Sequence, residues 1–395
     1  MSIRERKWTT KDGEKKSAWV VDYFDQNGKR HIKTFKLKKD AKDFDAGTRV
    51  EVKGRVHVAD SETVTVKEAC GYWLTACEDA GLERTTLAQY RQHVDLHIIP
   101  FVGDRRLNEV TVPFVRTFLD DLRANGRSAA MVRNVRVSLG SVFSDAQERG
   151  LVVRNAVKEI GRGKQARARS QARHVEPAEV GVDIPTPDEI RAVMAKAAGR
   201  DRVFWMTAIF TGMRASELRG LRWADVDLSK ATINVRQRAD AYQQIGSPKS
   251  VKGRRTIPLV SSLVTALKEW KLACPKGDAG LVFPNGAGNV EYHANIIKRW
   301  FHPPQIEAGV VINSKDKNGK PVKLAKYSGL HSLRHFYASW CINSPADGGL
   351  GLTPKVVQER MGHSSIQVTL DTYSHLFKRA GTGDEMDAAA AALLG

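Results

Sequence analysis

The sequence predicts a multidomain, mainly helical chain: a small N-terminal three-stranded sheet plus helix, an all-α four-helix domain, and a mixed, mainly-α α+β domain. Three observations predict it. The chain has 395 residues, 42% of them hydrophobic, which is enough for two or three packed cores. Its apolar pattern changes period twice: alternation gives way to a helical rhythm near residue 61, and a mixture of the two begins at Ile184. The run "GRGKQARARSQARH" at 161–174 carries five Lys/Arg, no acid and no apolar period, as an extended linker does. The segments expected are therefore 1–60, 61–160, a basic linker at 161–183, 184–383, and a tail at 384–395.

In the first segment "SAWVVDYF" and "HIKTFKL" alternate like strands around a turn centred on Asn27-Gly28, and a helix is expected from Lys38 to about Val52. Sixteen Lys/Arg against ten Asp/Glu make this sheet basic, and its few apolar residues mean that it needs a partner or a modest helix to be stable. The second segment opens with a capping box, Thr65 and Glu68, ahead of Val66, Ala69, Cys70, Trp73, Leu74 and Cys77 on one helical face. "TTLAQYRQHVDLHI" gives a second helix, and Pro113 starts a third before Val115, Phe118, Leu119 and Leu122. A fourth, from about Ser128 to Glu148, turns Val132, Val135, Leu139, Val142, Phe143 and Ala146 inward. In the last large segment Thr186-Pro187-Asp188-Glu189 caps a helix and "VFWMTAIFTG" is an apolar helix ending at Gly212. "ATINVRQ" and "RRTIPLV" are strands, "SLVTALKEW" returns to helix, and the tail "GDEMDAAAAALLG" is an Ala-rich helix candidate.

Composition excludes several classes. No window approaches the roughly eighteen apolar residues of a membrane span, and "MSIRERKWTTKDGEKK" has no apolar core of a secretory leader, so a cytoplasmic location is expected. Cys70, Cys77, Cys274 and Cys341 show no Cys-x-x-Cys spacing; they read as buried thiols of a reducing compartment, not zinc ligands. The net charge of +19 with a pI near 9.8 calls for a polyanionic partner, nucleic acid before an anionic membrane, since no basic amphipathic helix is present.

Four stretches carry chemistry. In "TGMRASELRGLRWADV" Arg214 follows Gly212 at a helix start, where its planar fork suits two phosphate oxygens, and Glu217 lies on the same face. In "SPKSVKGRRTIPL" Lys249, Lys252, Arg254 and Arg255 crowd a turn between strands, where one lysine can reach a leaving oxygen. In "HSLRHFYASW" His331 and Arg334 project together. His331 and His335 have the i, i+4 spacing of zinc-binding helices, but Ser332 stands where a zinc protease needs glutamate. In "MGHSSIQVTLDTYSHLF" His363 follows a helix end and Tyr373 lies ten residues on. Tyrosine, with an ordinary pKa near 10, is a nucleophile only when its proton is removed and its oxyanion stabilised. With no paired carboxylates for magnesium and no nucleotide fingerprint, the inventory fits cofactor- and metal-free attack of a tyrosine on a phosphodiester.

On these residues the chain resembles a tyrosine recombinase of the phage-integrase type. The motifs occur in the family's order: Arg in "TGMRASEL", Lys in the hairpin, "HSLRH", "MGHSS", and Tyr in "LDTYSHL". "TTLAQYRQHVDLHIIPFVGDRRLNEVT" looks like the family's core-binding helical domain and the first sixty residues like its arm-type DNA-binding domain. The resemblance implies that Tyr373 attacks a DNA phosphate to give a 3′-phosphotyrosyl link and a free 5′-hydroxyl. It implies that Arg214 and Arg334 hold the non-bridging oxygens, Lys249 protonates the leaving oxygen, His331 exchanges a proton with Tyr373, His363 bonds the phosphate and Glu217 supports the site. Arg162, Lys164, Arg167, Arg169, Lys252, Arg254 and Arg255 are expected to contact DNA. It further implies arm and core attachment sites, a homotetramer on DNA passing through a Holliday junction, a host DNA-bending protein, an excision factor, and a tail that docks on a neighbouring subunit.

The departures are small. Met361 replaces a common Leu before Gly-His, a volume-conserving change, and Lys252 competes with Lys249. Residues 310–326 read as an extra hairpin with Asn318-Gly319 at its turn, whose charge offers a DNA contact and no other role. The rival readings are a DNA-binding regulator that no longer cuts, a type IB topoisomerase, and a chromosome-dimer resolvase or transposon recombinase of the same superfamily. The intact Arg, Lys, His, Arg, His and Tyr set argues against the first, the N-terminal sheet and helical bundle against the topoisomerase, and the sheet against the chromosome-dimer resolvase.

Overall fold

The structure is a computed structural model. It describes the chain except residues 11, 55–56, 61, 161–177, 249–250, 317, 378–389, 393 and 395. Lys249, the linker residues Arg162, Lys164, Arg167 and Arg169, and most of the expected tail helix therefore lie outside the described residues. The chain divides into two units, Met1–Ala172 and Arg173–Gly395. Among the described residues no helix is long and apolar enough to cross a membrane.

The first unit begins with an antiparallel sheet of β1 (Ser2–Thr9), β2 (Lys15–Phe24) and β3 (Arg30–Phe35). The Asn27-Gly28 turn forms because the Asp25 carboxylate accepts from the amides of Asn27 and Lys29 while Gly28 takes a left-handed φ of 80°. Helix α1 (Lys38–Lys53) closes a core of Val21, Tyr23 and Ala41. Polar ties supplement so small a core. His31 bonds Asp25 at 2.9 Å, and His57 bridges the Tyr23 hydroxyl and Glu51, each at 2.9 Å.

The helical part follows the apolar pattern closely. Helix α2 (Val66–Asp79) carries the capping box at Thr65 and Glu68 and buries Val66, Ala69, Cys70, Trp73 and Cys77. Helix α4 (Val112–Ala124), capped by Thr111, and α5 (Ala129–Glu148), capped by Ser128, bury every residue assigned inward. Between them, the expected second helix departs from regularity. Helix α3 (Arg84–His93) runs into a π turn, Val94–Ile98, before the short helical segment Ile99–Val102. Pro100 has no amide hydrogen and its ring would meet the carbonyl four residues back, so the ladder widens ahead of it.

The second unit holds the capped helix α6 (Pro187–Lys196) and α7 (Gly199–Thr211), the latter buried nearly all round. Helix α7 stops at Gly212, whose φ is 57°; a Cβ there would lie 2.3 Å from the Tyr337 ring. After α8 (Ala215–Arg219), strands β4 (Val226–Asp227), β5 (Thr232–Val235) and β6 (Arg255–Pro258) pair antiparallel, and α9 (Ser261–Ala273) covers them. A π turn, Ile297–Phe301, again precedes prolines, Pro303 and Pro304. The extra hairpin is present as β7 (Val311–Lys315) and β8 (Pro321–Ala325), its turn built like the first, with Asp316 accepting from the amides of Asn318 and Lys320. Helices α10 (His331–Ile342), α11 (Pro354–Met361) and α12 (Ile366–Tyr373) enclose a small core of Tyr337, Cys341, Val357, Met361 and Tyr373. All four cysteines are free and buried.

Candidate active site

The site grows from the C-terminal end of α11. A helix ends with unsatisfied carbonyls and partial negative charge. Here three guanidinium groups from distant parts of the chain meet three successive carbonyls. Arg255 Nε donates to Arg360 O at 2.8 Å, Arg334 Nη2 to Met361 O at 2.6 Å, and Arg214 Nη2 to Gly362 O at 3.1 Å. Gly362 ends the helix in the left-handed region, φ 62°, and turns the chain so that His363 follows directly.

Glu217 organises the arginines. Its carboxylate, 2% exposed, accepts from Arg214 Nη1 at 2.9 Å and from Arg255 Nη2 at 2.9 Å and Nη1 at 3.2 Å. It also accepts from the Arg214 backbone amide at 2.9 Å. Burial alone would raise the pKa of this carboxyl; the charge and hydrogen bonds of Arg255, with those of Arg214, outweigh that and hold it below the ordinary value. Arg334 is buried on the carbonyls of Gly212 and Met361. Burial, then the neighbouring Arg214 and Arg255, lower its pKa to about 9, which leaves it cationic at neutral pH.

The histidines are neutral. His331 is exposed overall, but partial desolvation of its ring, then the charges of Arg334 and Arg214, lower its pKa. Burial and the same cations take His363 to about 3, and burial with His331 takes His335 to about 4. His363 Nδ1 bonds Thr369 Oγ1 at 2.8 Å, and its main chain is pinned by Gln358 through bonds of 2.9 Å and 3.1 Å. Tyr373 is 2% exposed, and burial raises its pKa against an opposing pull from Arg334. Its hydroxyl lies 2.7 Å from His335 Nδ1. The His331 and His335 rings meet edge to face with centroids 4.6 Å apart.

The structure thus brings Arg214, Glu217, His331, Arg334, His363 and Tyr373 into one cluster. Two placements were not anticipated from the sequence. The group against the Tyr373 hydroxyl is His335, one turn beyond His331, because α10 presents its i+4 position to α12. Arg255, expected to face DNA, has a side chain only 5% exposed and is held by Glu217 and two carbonyls, since the alternation of β6 turns it inward. Lys252 is exposed and donates to Ser364 O at 2.8 Å, beside His363; Arg254 is also exposed and borders a concavity of about 430 Å³ with Arg236 and Asn234. Sequence reasoning passed over His335, Arg255 as a clamp, and Thr369. His335 carried a signal, since it adjoins Arg334, but its spacing from His331 was read only for metal. Among the described residues one group, Asp25, His31 and Glu62, gathers three potential metal-ligand atoms within 4.8 Å, and these already pair with one another and with Lys29.

A mixed α+β domain that assembles arginines, histidines and a tyrosine in this order defines the catalytic fold of the tyrosine recombinases, and comparison with known proteins agrees. Residues 185–379 match the phage integrase family, and residues 65–123 match the phage integrase N-terminal SAM-like domain. A tyrosine recombinase XerC-like protein of Caldanaerobacter subterraneus subsp. tengcongensis is 23% identical, covering 91% of each chain. The ICEBs1 integrase of Bacillus subtilis is 21% identical over 83% of this chain and 84% of its own. Among solved structures, the Tn1549 transposon integrase in complex with transposon right end DNA superposes with a TM-score of 0.62 at 19% identity, covering 84% of this chain and all of that one. A lambda integrase tetramer bound to a Holliday junction gives 0.53 at 17% identity, covering 91% of this chain and 95% of that one. The chain belongs to the phage integrase family of tyrosine recombinases.

Proposed function

We propose that this protein is a site-specific DNA recombinase of the integrating type, which cuts and rejoins DNA through a 3′-phosphotyrosyl intermediate. The observation that carries the reading is the convergence of Arg214, Arg334, His363 and Tyr373 around the end of α11. Tyr373 is the nucleophile. Arg214 and Arg334 stabilise the charge that grows on the non-bridging oxygens, where prearranged cations in a water-poor site act strongly. His363, fixed by Thr369, bonds the phosphate, and the α10 histidines handle the proton of Tyr373. Lys249, or Lys252 beside His363, protonates the 5′ oxygen. Glu217 and Arg255 keep Arg214 aimed. The covalent link conserves the bond energy, so rejoining needs no nucleotide.

The basic N-terminal sheet supports arm-site binding and with it the integrating role, and the net charge of +19 supports tight hold on duplex DNA. The acid-free run at 161–174, exposed Lys252 and Arg254 fit backbone contacts, and action as a tetramer in a bacterial cytoplasm, with a host bending protein and an excision factor, completes the proposal. Removal of residues 384–395 should weaken tetramer assembly or deregulate cleavage. The direct test is a covalent trap. The protein is mixed with a nicked suicide duplex built from DNA flanking its own gene, and a detergent-stable adduct is sought, with Tyr373→Phe as control. An adduct in wild type alone supports the reading. An adduct in both makes another residue the nucleophile, and none in either, despite specific binding, favours a non-cutting regulator.

A further inference from the structure

We propose that His335 is a catalytic residue: the base that removes the Tyr373 proton during cleavage and the acid that returns it during rejoining. The assignment rests on the recombinase reading above and adds to it the identity of the proton acceptor. Three observations support it. His335 Nδ1 lies 2.7 Å from the Tyr373 hydroxyl, the distance that direct proton transfer requires. His331 stands behind it, ring against ring at 4.6 Å. Both groups are fixed from outside the contact, since Tyr373 sits in the core with Tyr337, Met361 and Val357, and Arg334 anchors α10 on Gly212 O and Met361 O.

Before DNA binds, burial opposes the transfer, lowering the pKa of His335 to about 4 and raising that of Tyr373. Burial next to His331 and Arg334 keeps His335 neutral, so Nδ1 offers a lone pair to the hydroxyl at neutral pH. A phosphodiester entering the cluster brings negative charge, which the imidazolium formed by proton transfer would face; the same anion that Arg214 and Arg334 grip raises the basicity of His335 when it is needed. In the forward step a lone pair of the Tyr373 oxygen forms the new bond to phosphorus and its proton passes to His335 Nδ1. The bond from phosphorus to the 5′ oxygen breaks, its electron pair leaves with that oxygen, and the lysine described above supplies the proton to it. Rejoining reverses each transfer, with His335 protonating the departing tyrosine oxygen.

Single-turnover cleavage of the suicide duplex tests the assignment, using wild type, His335→Asn, His335→Ala and His331→Ala, with DNA affinity measured in parallel. His335→Asn keeps a hydrogen-bonding group but cannot accept a proton. Both His335 variants should bind DNA as wild type does and cleave about 100-fold more slowly or worse. Their rates should climb about tenfold per pH unit, because the tyrosine then loses its proton only to hydroxide. Added imidazole should restore part of the rate to His335→Ala. A duplex with sulfur in place of the 5′ bridging oxygen, which leaves without a proton, should rescue a lysine variant and leave the His335 variants slow. A His335→Asn rate within about threefold of wild type, or its rescue by the sulfur-bridged duplex, would overturn the assignment alone. A wild type that forms no adduct would overturn the recombinase reading together with it.

Discussion

Replacing Arg255 by Met removes the most buried ion pair of the site and leaves Glu217 in place. Both side chains are 5% exposed or less, and the two bonds between them measure 2.9 Å and 3.2 Å. Removing one partner of a buried pair costs about 3–5 kcal/mol, because the remaining charge stays desolvated. Arg214 still bonds Glu217 at 2.9 Å by side chain and by backbone, so the lower end, about 3 kcal/mol, is expected. The pH dependence separates this from a packing loss. In wild type the pKa of Glu217 is depressed, so its contribution is present above the unfolded value near 4.3 and is lost as the pH falls through the lower folded value. In Arg255→Met burial prevails, the folded pKa rises above the unfolded one, and the penalty should shrink as the pH falls from 7 to 5. Hydrogen exchange in peptides spanning 203–218 reads the opening energy of this unit directly. The double variant Arg255→Met/Glu217→Gln should recover most of the loss, since an absent pair costs far less than a broken one. A single-variant loss below about 1 kcal/mol, a penalty that grows on acidification, or a double variant no better than the single would refute the argument.

Three further outcomes are expected. Gly212→Ala combines a left-handed φ of 57° with a Cβ 2.3 Å from the Tyr337 ring, and should cost about 3 kcal/mol or more in thermal or urea unfolding of the second unit. His93 and His97 in the helical domain are buried, have their pKa values lowered by burial, and leave His93 Nε2 and His97 Nδ1 without a hydrogen-bond partner among the described residues. The unfolded chain takes up these protons first, so hydrogen-exchange protection of α5 should be full above about pH 6.5 and fall as the pH drops below it, and His97→Phe should flatten that fall. Lys249→Ala should depress cleavage about 100-fold or more and Lys252→Ala much less, in single-turnover assays; the reverse result would give the proton donor's role to Lys252.

Much of this protein is determined by its sequence alone, wherever a local rule governs. Capping boxes at Thr65 and Thr186 set helix starts, the apolar rhythm of α5 named six of its inward residues but not Ser138 or Gly140, and Asp25 and Asp316 dictated two like-built turns. The motif order, matched to the family the chain resembles, placed Arg214, His331, Arg334, His363 and Tyr373 in one site. Local pattern also misled in places. Pro100, two residues beyond the π turn Val94–Ile98, reshaped a helix whose pattern looked regular. Only the tertiary structure decided which atoms meet. Arg255, Arg334 and Arg214 stand far apart in the chain, yet they bond the carbonyls of 360, 361 and 362, and a carbonyl leaves no trace in residue identity. The same limit separated His331 from His335. Both lie on one face of α10, and which of them reaches Tyr373 depends on how α12 packs against that face, a long-range choice made by the shared core of Tyr337, Met361 and Tyr373.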